Sequence, residues 1–184
     1  MKFNPTKCYV LRITTSKKPV VYQYKMHGHI LESVDHNPYL GVEFTSNLSW
    51  DHHINNITSK ATRALSFLRR NLHNCPENVK KQAYVALVRP HLEYASSVWD
   101  PHLQKHINML EMVQRKYVRF IKRNYSREPG TVTSLIQDLN LPSLQVRRKI
   151  SRLALLHKTI HQSIAIPLPD CEAASSHHKT VPSP

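Results

Sequence analysis

The apolar residues of this 184-residue chain change their spacing once, at Ser49, and that change limits what it can fold into. Before it lie four short apolar, β-branched or aromatic runs: KCYVLRI, VVYQYKM, GHILESV after Gly28 and PYLGVEF from Pro38. Turn residues separate them, including a Ser-Lys-Lys-Pro turn at 16–19. Such runs predict a small antiparallel sheet, one too small to stand alone. After Ser49, Ile54, Ile57, Ala61, Ala64, Leu65, Leu68 and Leu72 recur at steps of three and four, the spacing of one helical face. Ser49 or Asp51 is placed to cap that helix.

Four more helices follow from the same pattern. Pro76-Glu77 opens one that reaches about Ser97, with Val79, Ala83, Leu87 and Leu92 inward and Pro90 kinking or splitting it. Another runs from Leu103 to Arg123 on a stripe of Leu103, Ile107, Leu110, Val113 or Gln114, Tyr117 and Ile121. A short helix covers Thr131 to Leu139. Ser143 caps the last, whose stripe is Ile150, Leu153, Leu156 and Ile160. Beyond Gln162 the chain turns to Pro, Ser, Ala and His, the composition of a disordered tail. The expected class is α+β: a sheet segment over 1–47, a helical bundle over 48–162 and a tail over 163–184.

Charge narrows the function. Lys and Arg number 26 against 12 Asp and Glu, a net +14, which points to a polyanion, nucleic acid first and an anionic membrane surface second. The cations crowd beyond Pro101: twelve Lys or Arg up to Pro169, with only Glu111, Glu128 and Asp138 as acids. On the Leu103–Arg123 helix, Arg115, Lys116, Arg119, Lys122 and Arg123 share a flank, and Arg147, Arg148, Lys149 and Arg152 crowd the start of the last. Like charges at these spacings destabilise a helix, and cations oppose the dipole at its N-terminus. Phosphates nearby would relieve both. A solvated basic face is the competing reading.

Several chemistries are excluded. Gly28, Gly41 and Gly130 cannot write a GxGxxG or GxxxxGK[ST] loop. Cys8, Cys75 and Cys171 are odd in number and far apart, which gives neither a disulfide framework nor a CxxC zinc site. No two carboxylates share a short motif able to hold paired Mg²⁺ ions. Asp35-His36, Asp51-His52-His53 and His177-His178 lack HExxH spacing, so no metal site is expected. No GxSxG elbow is present. No apolar run approaches the roughly 20 residues of a membrane span, and MKFNPTKC is not a secretory signal. An intracellular protein, nuclear or cytoplasmic, is expected.

The segments FNPTKC, PYLGVEFTSNLSWDHHI, KATRALSFLRRNLHNC, AYVALVRPHLEYASSVWDP, INMLEMVQRKYVRFI and TVTSLIQDLNLPSLQVRRKISRLALLHK occur in that order. This ordered set resembles the C-terminal part of LINE-type (non-LTR) retrotransposon reverse transcriptases, nearest to the jockey-like branch, over about residues 1 to 161. The resemblance implies the end of a polymerase palm followed by a thumb and connection. It matches Tyr39, Leu40, Gly41 and Val42 to the primer-grip strand and turn. The family's Tyr/Phe-Ala-Asp-Asp turn is absent, so polymerisation by this chain alone is not expected, and Mg²⁺ would come only with the palm. The implied role is sequence-tolerant binding of RNA, DNA or an RNA–DNA hybrid. Arg115, Arg119, Lys122, Arg123, Arg147 and Arg148 are the expected phosphate contacts, with Lys60, Arg63 and Arg70 behind them. Two alternatives stand beside it: the C-terminal part of a full-length active enzyme whose start lies upstream of Met1, and a host-reused interaction module. In the last, Trp50, Trp99 and the apolar stripes would face a protein partner. Exposed palm-facing apolar surface would also favour self-association.

Overall fold

A computed structural model of the chain describes residues 3–166, apart from 15, 17 and 19. Within them the fold is α+β: short strands first, then helices around one core. Residues 17 and 19 of the expected turn at 16–19, and residues 167–184 of the tail expected over 163–184, lie outside the described residues.

The strands form three separate pairs where a single antiparallel sheet was expected. β1 (Tyr9–Leu11) lies parallel to β4 (Glu32–Val34), and β2 (Lys25–Met26) is antiparallel to β3 (His29–Ile30). β5 (His36–Tyr39) and β6 (Val42–Thr45) make a tight hairpin in which Tyr39 faces Val42. The alternation in KCYVLRI is imperfect, so no strand offers the long one-sided apolar face that would add further strands. Among the described strands β6 alone reaches the main core: Val42 is buried there, and the Phe44 ring meets Trp50 edge to face at 5.8 Å.

Helix α1 (Asp51–Asn71) buries Ile54, Ile57, Ala61, Leu65 and Leu68, the expected stripe. The Asp51 carboxylate accepts from Lys105 Nζ at 2.6 Å and pairs with His106 Nε2 at 2.7 Å. It also accepts from the Ser49 hydroxyl at 2.6 Å. These contacts, Lys105 foremost, hold its carboxyl well below the usual carboxylate range. They clip the start of α1 to the start of α5 (Gln104–Lys122).

The segment after Pro76 departs from expectation in register. α2 (Glu77–Ala83) passes into a π turn over Tyr84–Val88 and then into α3 (Arg89–Glu93). The side chains turned inward are Lys80, Tyr84, Val88 and Leu92, whereas Val79 and Leu87 face out. Pro90 supplies the reason. It has no N–H and its ring crowds the carbonyl four residues earlier; the wider turn, in which the Arg89 N–H reaches the Tyr84 carbonyl, makes room for it. Ala95 at φ +51° then breaks the rod before α4 (Ser96–Trp99).

α5 is the central helix and packs on α1, α2, α6 (Thr131–Asp138) and α7 (Leu144–Ile160). Leu110, Val113, Gln114, Tyr117 and Ile121 are buried as expected, while Leu103 lies outside the helix and is exposed. Buried polar groups are linked across elements. The Tyr84 hydroxyl donates to Gln114 at 2.8 Å, Gln114 donates to the Pro142 carbonyl at 3.1 Å, and the Tyr117 hydroxyl donates to the Lys80 carbonyl at 2.7 Å. Burial pushes both phenols well above the ordinary tyrosine range.

α7 reverses its expected face. Ser143 caps it, its hydroxyl accepting from the Val146 N–H at 3.2 Å. Leu144 and Arg148 point into the core, and Ile150, Leu153, Leu156 and Ile160 are each about half or more exposed. Two carboxylates decide the rotation. Asp100, beyond α4, takes Arg148 Nε at 2.8 Å and Arg152 Nε at 3.0 Å, and Glu93, on α3, takes Arg147 through both of its oxygens.

Candidate nucleic-acid interface

The cations of α5 stand where its core stripe requires. With Leu110, Val113, Tyr117 and Ile121 inward, Lys105, Met112, Arg115 and Lys116 occupy the solvent ridge. A groove runs along each side of that ridge. Towards α1 it has a volume of about 480 Å³, with Arg63, Lys105 and Lys116 on its walls. On the other side, against the approach to α6 and the start of α7, lies a cleft of about 710 Å³ bearing Arg115, Lys116 and Arg119. Glu111 and Glu128 share that second cleft, and Glu111 Oε1 is engaged by the Gln145 N–H at 2.8 Å. Arg119 leans into the protein, and its Nε is buried without a hydrogen-bond partner among the described residues.

Of the expected phosphate contacts, Arg115 on α5 and Lys60, Arg63 and Arg70 on α1 are exposed, and no ion pair occupies any of them among the described residues. Arg63 and Arg115 flank the ridge from opposite sides. Lys122 pairs with Glu77 at 3.0 Å, and the Arg123 guanidinium donates to the His73 carbonyl at the end of α5.

Arg147 and Arg148 require correction. Arg148 is enclosed and its charge is matched by Asp100 at 2.8 Å, so it is not free to meet a phosphate. Arg147 is clamped by Glu93, which raises its affinity for the proton, and Glu93 also lies 3.5 Å from Arg89. The penalty expected for cations at the first turns of α7 is therefore relieved inside the fold by two carboxylates. No phosphate is needed for that purpose.

The Tyr39–Val42 segment is the tip of the β5–β6 hairpin. Leu40 at φ +47° and Gly41 at φ +82° form its turn, a geometry matched to strand twist. Tyr39 and Leu40 are exposed, Gly41 lies against Tyr94, and Val42 is buried in the core, so its side chain meets no ligand. The Tyr94 hydroxyl donates to the Leu40 carbonyl at 3.0 Å, which fastens the tip to the end of α3.

The histidines divide by role. His52 stacks flat on His36 at 5.2 Å, while His53 is buried, its Nδ1 accepting from the Glu43 N–H at 3.3 Å. Desolvation lowers the His53 pKa below its usual 6.5. No group of three or more potential metal ligands occurs among the described residues, and no helix there is long and apolar enough to cross a membrane.

Sequence reasoning missed Lys80, which is buried at the α2–α5 contact. The four-residue spacing of Lys80, Tyr84, Val88 and Leu92 carried the signal, but a lysine is not read as an inward residue.

The arrangement offers positioned cations and ordered polar contacts, which is chemistry for holding an anionic polymer in place. Comparison with known proteins points the same way as the motifs. No family model and no solved structure matches the chain. It is 25 % identical over 174 residues to a probable RNA-directed DNA polymerase from transposon BS of Drosophila melanogaster. The alignment covers 90 % of this chain and 19 % of that protein, so the chain spans about a fifth of the length of the relative it matches and is similar to part of a transposon polymerase.

Proposed function

We propose that this chain corresponds to the end of the palm (1–47) and the thumb (48–162) of a LINE-type reverse transcriptase. Its own activity is sequence-tolerant binding of a template–primer duplex. The observation that carries this reading is the α5 ridge: Arg115 and Lys116 on one helix and Arg63 beside them on α1, without ion-pair partners among the described residues and flanking grooves above a well-packed core. Such an array binds phosphates and not base edges, which suits a surface that must accept any sequence. No two carboxylates in the sequence share a short motif of the kind that holds paired metal ions, so this reading assigns nucleotide addition to a palm carrying the aspartates.

The test is binding of an RNA–DNA hybrid over a salt series. The logarithm of affinity should fall linearly with the logarithm of salt, at about 0.9 per phosphate neutralised. Arg63→Gln and Arg115→Gln should each lower that slope by roughly one contact. Binding indifferent to salt, or none at low salt, would overturn the reading. A second reading, a protein-interaction module, draws on the exposed Ile150, Leu153, Leu156 and Ile160 stripe of α7. It would be favoured by a chain that ignores nucleic acid yet unfolds cooperatively as a clean monomer.

A further inference from the structure

A small cleft of about 310 Å³ opens where the Asn74–Pro76 turn meets the C-terminal end of α5. Lys80, Lys122, Arg123 and Glu77 line it, three cations against one carboxylate. Lys122 and Glu77 satisfy each other, and Arg123 is anchored on the His73 carbonyl. Lys80 is different. It is 1 % exposed, yet among the described residues no carboxylate lies within ion-pair distance of its ammonium and none of their groups accepts a hydrogen bond from it. Its Nζ sits 4.9 Å from the centre of the Phe120 ring, which supplies a favourable quadrupole but no lone pair. The Tyr117 hydroxyl engages the Lys80 backbone carbonyl and leaves the ammonium alone.

The lysine is enclosed, but its Nζ is not among the wholly buried atoms that lack partners; it lines the cleft, and a charge so enclosed is costly unless something anionic meets it there. Burial, and after it the neighbouring Arg123, lowers the proton affinity of Lys80. An oxyanion would reverse that cost, and the ammonium has three donors to offer it.

We propose that this cleft is an oxyanion site in which Lys80, with Lys122 and Arg123 at its rim, seats one phosphate group of a nucleic-acid backbone. The source of that phosphate rests on the nucleic-acid reading above; the oxyanion chemistry does not. The cleft lies at the small end of ligand sites. It suits a single phosphate held in place while the rest of the polymer runs along the α5 ridge.

The test uses the full chain with inorganic phosphate, against chloride at matched ionic strength. Phosphate should raise the melting temperature and move amide resonances around Asn74–Lys80. Lys80→Met, which keeps the side-chain volume, should match or exceed the unmodified chain in phosphate-free stability. It should bind phosphate roughly tenfold or more weakly, the equivalent of one hydrogen bond to a charged group. Amide shifts elsewhere, or a phosphate effect that survives Lys80→Met, would overturn the site; the amide readout decides the matter even if the variant does not fold. Hybrid binding with a normal salt slope but no phosphate response at Lys80 would overturn the cleft and leave the nucleic-acid reading standing. Phosphate bound at Lys80 with no hybrid binding would assign the cleft to free phosphate and overturn the backbone assignment.

Discussion

Removing Asp100 should be among the most damaging single changes available to this fold. Its carboxylate holds Arg148 at 2.8 Å and Arg152 at 3.0 Å. Arg152 is half exposed and can turn to water, but Arg148 is fully enclosed and its Nη1 and Nη2 already lack partners among the described residues. Two opposite charges about 4 Å apart attract by about 4 kcal/mol at an effective dielectric constant of 20, and breaking a buried pair from one side costs about 3–5 kcal/mol. Asp100→Ala should therefore lose that amount, a large share of the 5–15 kcal/mol that holds a typical domain together. Arg148→Met removes the two orphaned donors together with the enclosed charge and leaves the partly exposed Asp100 paired with Arg152, so it should cost clearly less than Asp100→Ala. The double variant should recover most of what Asp100→Ala loses. Urea unfolding followed through Trp99, which is fully buried next to Asp100, reports each value. An Asp100→Ala cost under about 1 kcal/mol, or an Arg148→Met cost as large as that of Asp100→Ala, would refute the reasoning.

Three further outcomes are expected. Gly41→Ala places a Cβ at φ +82° and 3.2 Å from Tyr94 Cε1, so it should cost about 1–2 kcal/mol in chemical unfolding, whereas a left-handed turn indifferent to the change would show no shift. His53 is held neutral by burial, so its contribution to stability is complete above pH 6.5 and is lost as pH falls from there through the lowered folded-state value. His53→Gln should flatten the urea midpoint over that acid range, a difference absent if His53 titrates alike in both states. Ile150→Lys on the open side of α7 should change stability by no more than about 0.5 kcal/mol, while Leu144→Lys, aimed into the core, should prevent folding. Comparable effects at the two positions would show that α7 does not turn Leu144 inward and Ile150 outward.

Periodicity located nearly every helix, because three- and four-residue apolar steps report a buried face directly. α1 and α5 follow their stripes almost residue by residue. Where the reading failed, a longer-range partner or a backbone irregularity had the deciding influence. The apolar stripe of α7 is as regular as that of α1, yet Glu93 and Asp100, about fifty positions earlier, turn Arg147 and Arg148 inward and the stripe outward. No window of local sequence contains both ends of those pairs. The same blindness made Arg147 and Arg148 look like phosphate contacts, since charge patterning shows cations without showing which carboxylates reach them. Arg63 and Arg115, by contrast, stay exposed and outside the ion pairs of the described residues. The strands were the least legible element: short, irregular runs fix extended backbone but not partner order or direction.

The π turn at Tyr84–Val88 has a consequence for how this fold can tolerate changes in length. A π turn carries one residue more than the α-helix it interrupts, and so shifts the phase of everything after it by roughly 100°. Lys80 and Tyr84 are set by the rod before the shift, and Leu92 and Glu93 by the rod after it. Deleting one residue at Val85 or Ala86 would take away the extra residue that the wider turn holds. It would also swing Glu93 away from Arg147 and press Pro90 against a carbonyl that the wider turn now spares. An insertion or deletion elsewhere in a helix is usually judged by the turn it breaks; here it would be judged by the two ends it puts out of step.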